Sequence, residues 1–319
     1  MTKLNVPVDG PHRRCAGPDA AEQFLASLFD RLWIRYRERV SYVKTYEELL
    51  QQYHAHFHND HIAFRTIAWQ QPMTGIAVLG RLFECLGYRA AGTYWFDDKH
   101  LAAVHYQHPN GMLPKLFISE LQTWRLPASI LPVFQRSLEA HRPLPSVELL
   151  AALCRLEEQT SLQQAELLET VLSFIEQLPW PPPRKDDLLA VHQSSQYGAW
   201  VLVHGYNVNH FTSLINSHGV PELDDIEKTA ELLRKSGVPM KEEIEGERGS
   251  ILRQTATAAV VCDVTVTDGG QETTVPWTYA YFELAERGSV RDPATGQSVR
   301  FEGFLGPQAT HLFEMTRPR

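Results

Sequence analysis

The chain has 319 residues, 43% hydrophobic and 21% charged, with a formal net charge of −8. That composition suits one large globular unit or two small ones, and it argues against a general nucleic-acid binder, which carries a basic face. No apolar run approaches the ~20 residues of a membrane span. Met1 to Pro18 lacks the apolar core and cleavage site of a secretion signal. Cys15, Cys85, Cys154 and Cys262 are scattered with no Cys-x-x-Cys pair, so the expectation is a cytoplasmic chain with reduced thiols and no zinc ribbon.

In chain order, residues from about Asp19 to Tyr53 read as helical, with an apolar stripe through Phe24, Leu28, Leu32 and Tyr36 and later Leu49. Mixed strand and helix follows from about His58 to Leu121. A helical stretch then runs from about Pro127 to Leu178, with a capping box expected at Thr160 and Gln163, and stops at Trp180-Pro181-Pro182-Pro183. A second strand-and-helix region covers about Gly198 to Gly288. The tail from Ser289 to Arg319 contains a Gly-rich stretch, Phe301 to Pro307, expected as a loop beside the core. As one catalytic domain, the chain divides into N-terminal helices (1–57), a first module (58–121), a helical insert (122–190), a second module (191–288) and the tail (289–319).

The two strand-and-helix regions read as a diverged duplication. An apolar helix pattern through Ile76, Leu79, Gly80 and Phe83 stops at Gly87, and another through Ile226, Thr229, Ala230 and Leu233 stops at Gly237. The spacing is the same, and both glycines suit a helix C-terminus. Upstream of each helix lies a histidine in a strand-like segment, His61 and His210. Downstream, the last strand of each carries a glutamate, Glu120 in Leu116–Leu121 and Glu283 in Tyr279–Leu284. His61, Ala63 and Arg65 share one face of their strand, which sets a metal ligand beside an anion clamp.

If the two units pack into one curved sheet, their first and last strands line a common cavity. Of the four candidates, four protein ligands would close too much of the coordination sphere for a chelating substrate and dioxygen. Two imidazoles and one carboxylate leave positions open, the arrangement that suits non-haem Fe(II). His61, His210 and Glu283 are therefore the expected set. Glu283, with Tyr279, Tyr281 and Ala285 on its face, would be a costly unpaired acid among aromatics unless a metal took it.

The segments His61-Ile62-Ala63-Phe64-Arg65, Phe117-Ile118-Ser119-Glu120-Leu121, Asn209-His210-Phe211-Thr212, Leu252-Arg253-Gln254-Thr255 and Phe282-Glu283-Leu284-Ala285-Glu286-Arg287-Gly288 resemble the motifs of the 2-oxoadipate dioxygenase/decarboxylase family. The resemblance runs from the N-terminal helices to about Gly288. It implies an α+β fold of two βαβββ modules, similar to the vicinal oxygen chelate architecture, forming a curved mixed sheet around a metal cavity. It implies Fe(II) held by His61, His210 and Glu283. Arg65 falls on the family's substrate-binding arginine and is the expected catalytic and substrate-holding residue, with Gln254 at a polar position near the substrate. The implied reaction takes a small 2-oxo acid and O2, releases carbon dioxide and converts 2-oxoadipate to 2-hydroxyglutarate, a step of lysine breakdown. The chain is shorter than the longer bacterial members.

Plainer roles stand beside these. His54, His56 and His58 suit a solvated or supporting role, since the repeat selects His61. Arg253 reads as structural, and Glu286, of opposite strand parity to Glu283, reads as paired with a base. Tyr279 and Tyr281 read as core or cavity wall. The helical insert reads as a packed satellite or a lid, and the charge run Lys241–Gly249 as a solvated loop or, since it precedes Arg253, a border of the cavity. Two other functions fit the same scaffold. One is a metal-dependent lyase, isomerase or hydrolase, in which Glu120 serves as base or fourth ligand. The other is a non-enzymatic binder of 2-oxo acids.

Overall fold

The structure, a computed structural model, describes residues 10–306. The first nine residues and the end of the expected tail, from Pro307, lie outside that range. Helix α1 (Ala20–Arg39) starts on Asp19, whose carboxylate accepts from the amides of Ala21 and Glu22. The helical stretch expected up to Tyr53 breaks at Val40 and Ser41, and α2 (Tyr42–Gln52) follows.

Strand β1 (Asn59–Ala68), helix α3 (Ile76–Glu84) and strands β2 (Arg89–Phe96), β3 (Leu101–Gln107) and β4 (Lys115–Gln122) make the first βαβββ unit. The insert carries α4 (Leu131–Glu139), α5 (Val147–Leu153), α6 (Ser161–Glu176) and α7 (Lys185–Ser194). It is a series of short helices because residues 140–146 and the Pro-rich stretch after Trp180 interrupt it. The capping box at Thr160 and Gln163 is present.

Helix α8 (Gln196–His204) leads into the second unit: β5 (Val208–Leu214), α9 (Ile226–Lys235), β6 (Leu252–Ala256), a hairpin of β7 (Val261–Asp268) and β8 (Gln271–Thr278), and β9 (Glu283–Arg287). A last small hairpin pairs β10 (Ser289–Arg291) with β11 (Ser298–Arg300). Both module helices end as expected. Gly87 and Gly237 adopt positive φ (93° and 84°), and the amides just beyond them, of Tyr88 and Val238, reach back to Phe83 and Leu233, which satisfies carbonyls that the helix leaves open.

One seven-stranded mixed sheet joins the units in the order β2-β3-β4-β1-β5-β9-β6. The central strands β1 and β5 run antiparallel, and each has a parallel outer neighbour, β4 and β9. The sheet is thus close to two-fold symmetric. A shift of 149 residues carries His61 onto His210. In place of a second β2, residues 240–245 touch the edge of β6 through isolated bridges (Met240↔Thr257, Glu245↔Gln254), so part of the charge run borders the sheet.

Both central strands are buried almost throughout, which means both faces are covered. On one face Phe211 packs edge-on to Trp33 and Tyr36 of α1, each at 5.0 Å between ring centroids. The other face lines the cavity. Helix α6 packs on α1, where Arg31 bonds Glu169. None of the cavity-lining residues comes from α4–α7, so the insert is a satellite on the helical layer and does not cover the cavity.

Candidate functional site

Three side chains converge where β1, β5 and β9 lie side by side. His61, His210 and Glu283 each offer one donor atom, and these atoms all lie within 4.8 Å of one another. The two Nε2 atoms are 3.3 Å apart. Glu283 lies 3.5 Å from each, through Oε1 to His61 and Oε2 to His210. Ligands about 2.1 Å from a shared ion would be about 3.0 Å apart at right angles and about 3.4 Å apart at tetrahedral angles, so the trio has the spacing of a metal site.

The protonation pattern points the same way. His61 Nδ1 bonds Asp60 Oδ2 at 2.8 Å, and His210 Nδ1 bonds Asn209 Oδ1 at 3.1 Å. Both partners accept, so each imidazole carries its proton on Nδ1 and turns a bare Nε2 to the centre. Burial pushes both imidazoles below the usual histidine range. For His61 the Asp60 carboxylate opposes that push, and for His210 the charges of His61 and Arg65 add to it. Burial raises the Glu283 carboxyl to about 8, with Glu245 and Asp60 pushing the same way against the Gln254 hydrogen bond. Glu283 Oε2 is buried without a hydrogen-bond partner. Two facing nitrogen lone pairs and a bare carboxylate oxygen in a closed space are what a cation satisfies.

The supporting residues were not legible as such. Asp60 is gripped by Arg287 through Nε (2.5 Å) and a terminal nitrogen (2.8 Å), with Lys115 Nζ at 3.7 Å. Burial pushes the Asp60 carboxyl up, but Arg287, Lys115 and its hydrogen bonds outweigh it and hold it well below the usual range. Thr212, paired with His61 across the strands, places its hydroxyl 3.1 Å from His61 Nε2. Gln254, expected beside the substrate, lines the cavity and donates to Glu283 Oε1 at 2.6 Å. Its visible task is to hold the carboxylate.

Arg65 lies on the same face of β1 as His61 and Ala63, and all three line one cavity. Its guanidinium is buried over the rings of Tyr197 (5.0 Å) and Trp200 (5.2 Å), both from α8. Tyr197 is itself fixed by Ser119 and by the amide of Thr66, and Trp200 by the carbonyl of Tyr279. The rest of the wall includes Phe117, Tyr281, Phe304 and Leu305. Tyr281 stacks on His210 at 4.8 Å, and Phe304 meets the His61 ring edge-on at 4.9 Å. Phe304 and Leu305 are the part of the expected tail loop that reaches the site.

The remaining expectations divide. Tyr281 is cavity wall and Tyr279 is core, stacked on Trp200, each within what was expected. His54, His56 and His58 do not line it. Glu286 does pair with a base, Arg253 (3.4 Å), which also binds Glu227.

The equation of Glu120 with Glu283 is corrected. Ala63 stands level with Phe117 on β4 and Thr212 level with Glu283 on β9, so Phe117 is the counterpart of Glu283. Glu120 is the counterpart of Glu286, three residues further on. Glu120 Oε2 accepts from the Ile76 amide (2.9 Å) at the start of α3, and Glu286 Oε2 from the Ile226 amide (3.0 Å) at the start of α9. Occupied there, and outside the cavity lining, Glu120 is neither a fourth ligand nor a base at this centre.

A family profile described as 2-oxoadipate dioxygenase/decarboxylase matches residues 28–314. The chain is 26% identical over 320 residues to the chloroplastic/amyloplastic 2-oxoadipate dioxygenase/decarboxylase of Oryza sativa subsp. japonica, covering 94% of this chain and 80% of that protein. Its structure is similar to that of the hydroxyglutarate synthase from Oryza sativa in complex with 2-oxoadipate, with a TM-score of 0.76, 24% identity, and 99% and 97% of the two chains covered. It is also similar to a protein from Ralstonia eutropha JMP134 described as of the glyoxalase superfamily, with a TM-score of 0.77, 22% identity, and 94% and 91% covered. Below 25% identity these two likenesses speak to the fold, which is α+β with paired modules of the vicinal oxygen chelate kind. The chain belongs to the 2-oxoadipate dioxygenase/decarboxylase family, an enzyme family.

Proposed function

We propose that this chain is an Fe(II)-dependent dioxygenase that oxidatively decarboxylates a 2-oxo dicarboxylic acid, 2-oxoadipate or a close analogue, to the shortened 2-hydroxy acid and carbon dioxide. The observation that supports the reading is the convergence of His61, His210 and Glu283, with both histidines on the wall of the cavity that the Arg65 guanidinium also lines. The rice relative's name, and the 2-oxoadipate in the related rice structure, support this substrate class.

His61, His210 and Glu283 would hold the metal on one side. Fe(II) bound there supplies open positions for a chelating 2-oxo acid and the electrons that dioxygen chemistry requires. Arg65 binds a substrate carboxylate through its paired N–H donors, and the two rings beneath it fix the direction of that grip. Gln254 holds Glu283, and Asp60 and Asn209 keep the imidazole protons on the outer nitrogens. Tyr281, Phe117 and Phe304 keep water from the reacting carbon. The overall change balances: 2-oxoadipate and O2 give 2-hydroxyglutarate and CO2, with both oxygen atoms retained in the products.

Oxygen uptake, carbon dioxide release and product identity, measured together on Fe(II)-loaded protein with a panel of 2-oxo acids, test this. One O2 consumed and one CO2 released per 2-oxoadipate is the expected result. Turnover without oxygen when Zn(II) replaces iron, or tight binding with no oxygen consumed, would overturn it.

A further inference from the structure

The two strands that carry the histidines each contain one extra residue. On β1, Asn59 faces Ser213 and His61 faces Thr212, so Asp60 has no residue opposite. On β5, His210 faces Ala63 and Val208 faces Phe64, so Asn209 has none. These are two β-bulges at equivalent places in the two halves. A bulge turns the extra side chain toward the side of its neighbour, and here each reaches the Nδ1 atom of the histidine that follows it.

The two bulge residues then differ. Asp60 has both oxygens engaged, by His61 and Arg287. With His210 Nε2 turned to the metal centre, its proton lies on Nδ1, so Asn209 faces that ring with Oδ1. Its Nδ2 is buried with no hydrogen-bond partner. Asn209 is 2% exposed and lines the cavity. Along β5 it falls between His210, opposite Ala63, and Val208, opposite Phe64; the next residue of β1 is Arg65. An acid reaching from the metal centre to Arg65 passes this amide. A buried donor without an acceptor is costly unless something else supplies one.

We propose that Asn209 is a substrate-binding residue whose Nδ2 donates to an oxygen of the bound 2-oxo acid while its Oδ1 positions His210. This rests on the reading of the site given above. One half of the duplicated sheet thereby spends its bulge on an internal anchor, and the other spends it on the ligand.

The test separates acid binding from iron binding. Anaerobic calorimetry with 2-oxoadipate and other 2-oxo acids is run at saturating Fe(II) on the wild type, Asn209→Asp and Asn209→Ser, with iron affinity measured separately by chelator competition. Asn209→Asp keeps an acceptor for His210 and loses the donor. Its iron affinity should stay within a few-fold of wild type, while the Kd for the acid rises about tenfold or more. Asn209→Ser adds no buried charge and reports if the aspartate variant does not fold; it too should weaken acid binding at saturating iron. Unchanged acid affinity in the folded variants overturns the role of Asn209 and leaves the site intact. A wild type that binds no 2-oxo acid overturns the reading of the site, and this role with it.

Discussion

Asp60 accepts the Nδ1–H hydrogen bond of His61 with one oxygen, at 2.8 Å, while Arg287 holds both of its oxygens from the far side. The first candidate ligand is thus tied to a charge pair whose side chains are wholly buried. Asp60→Asn should weaken iron binding about 10- to 100-fold, the usual effect of losing such a partner. It should also cost about 3–5 kcal/mol of stability, because Arg287 keeps its charge and loses the carboxylate. Chelator competition reads the first effect and urea unfolding of the iron-free protein reads the second.

Arg65→Lys should not be neutral. A lysine lacks the forked donors for a carboxylate and the flat face that lies over Tyr197 and Trp200. We expect a rise of about tenfold or more in the Kd for 2-oxoadipate, with iron affinity unchanged. Calorimetry at saturating iron gives the answer, and equal losses of acid and iron binding would mark Arg65 as structural.

Glu120→Ala should leave iron affinity as it is. The carboxylate serves the first amide of α3, so its removal should cost about 1 kcal/mol of stability. Chelator competition and unfolding midpoints check both halves of the statement. A drop in iron affinity would restore Glu120 to the centre.

His204 gives the fold a pH dependence away from the metal centre. It sits in α8, bonded to the carbonyl of Thr278 at 2.9 Å, and burial pushes its pKa down to about 3. The folded state therefore prefers the neutral ring, and the unfolded chain binds the extra proton first. This contribution is present above the ordinary histidine range and is lost as pH falls from about 6.5 toward 3. His204→Gln should flatten the decline in urea midpoint between pH 7 and pH 4. An unaltered slope would contradict the burial argument.

Much of the site was legible because it rests on period and order. Strand parity places His61, Ala63 and Arg65 on one face, and the repeated helix with its terminal glycine marks the two halves. Glu120 misled because order along the chain is not register. Only the pairing of β4 with β1 and of β9 with β5 shows that the counterpart of Glu283 is Phe117. Asp60 and Asn209 were hidden for a related reason, since a bulge depends on the partner strand and leaves no mark in its own. Residues 197–203 are apolar all round, a pattern that does not separate buried helix from buried strand, so Tyr197 and Trp200 gave no sign that they lie beneath Arg65. The last strand expected from Tyr279 begins only at Glu283, because Tyr279 and Phe282 bond to Val260 and Thr257 outside the main sheet.

The central claim is that one cation is shared by one strand of the first half, β1 with His61, and two strands of the second half, β5 with His210 and β9 with Glu283. The direct measurement is the number of Fe(II) ions bound per chain, by anaerobic titration, in the wild type and in His61→Ala, His210→Ala and Glu283→Ala. The account predicts one tightly bound ion in the wild type and loss of tight binding in each variant, with the fold retained by circular dichroism. Full iron occupancy in any folded variant of the three would contradict it.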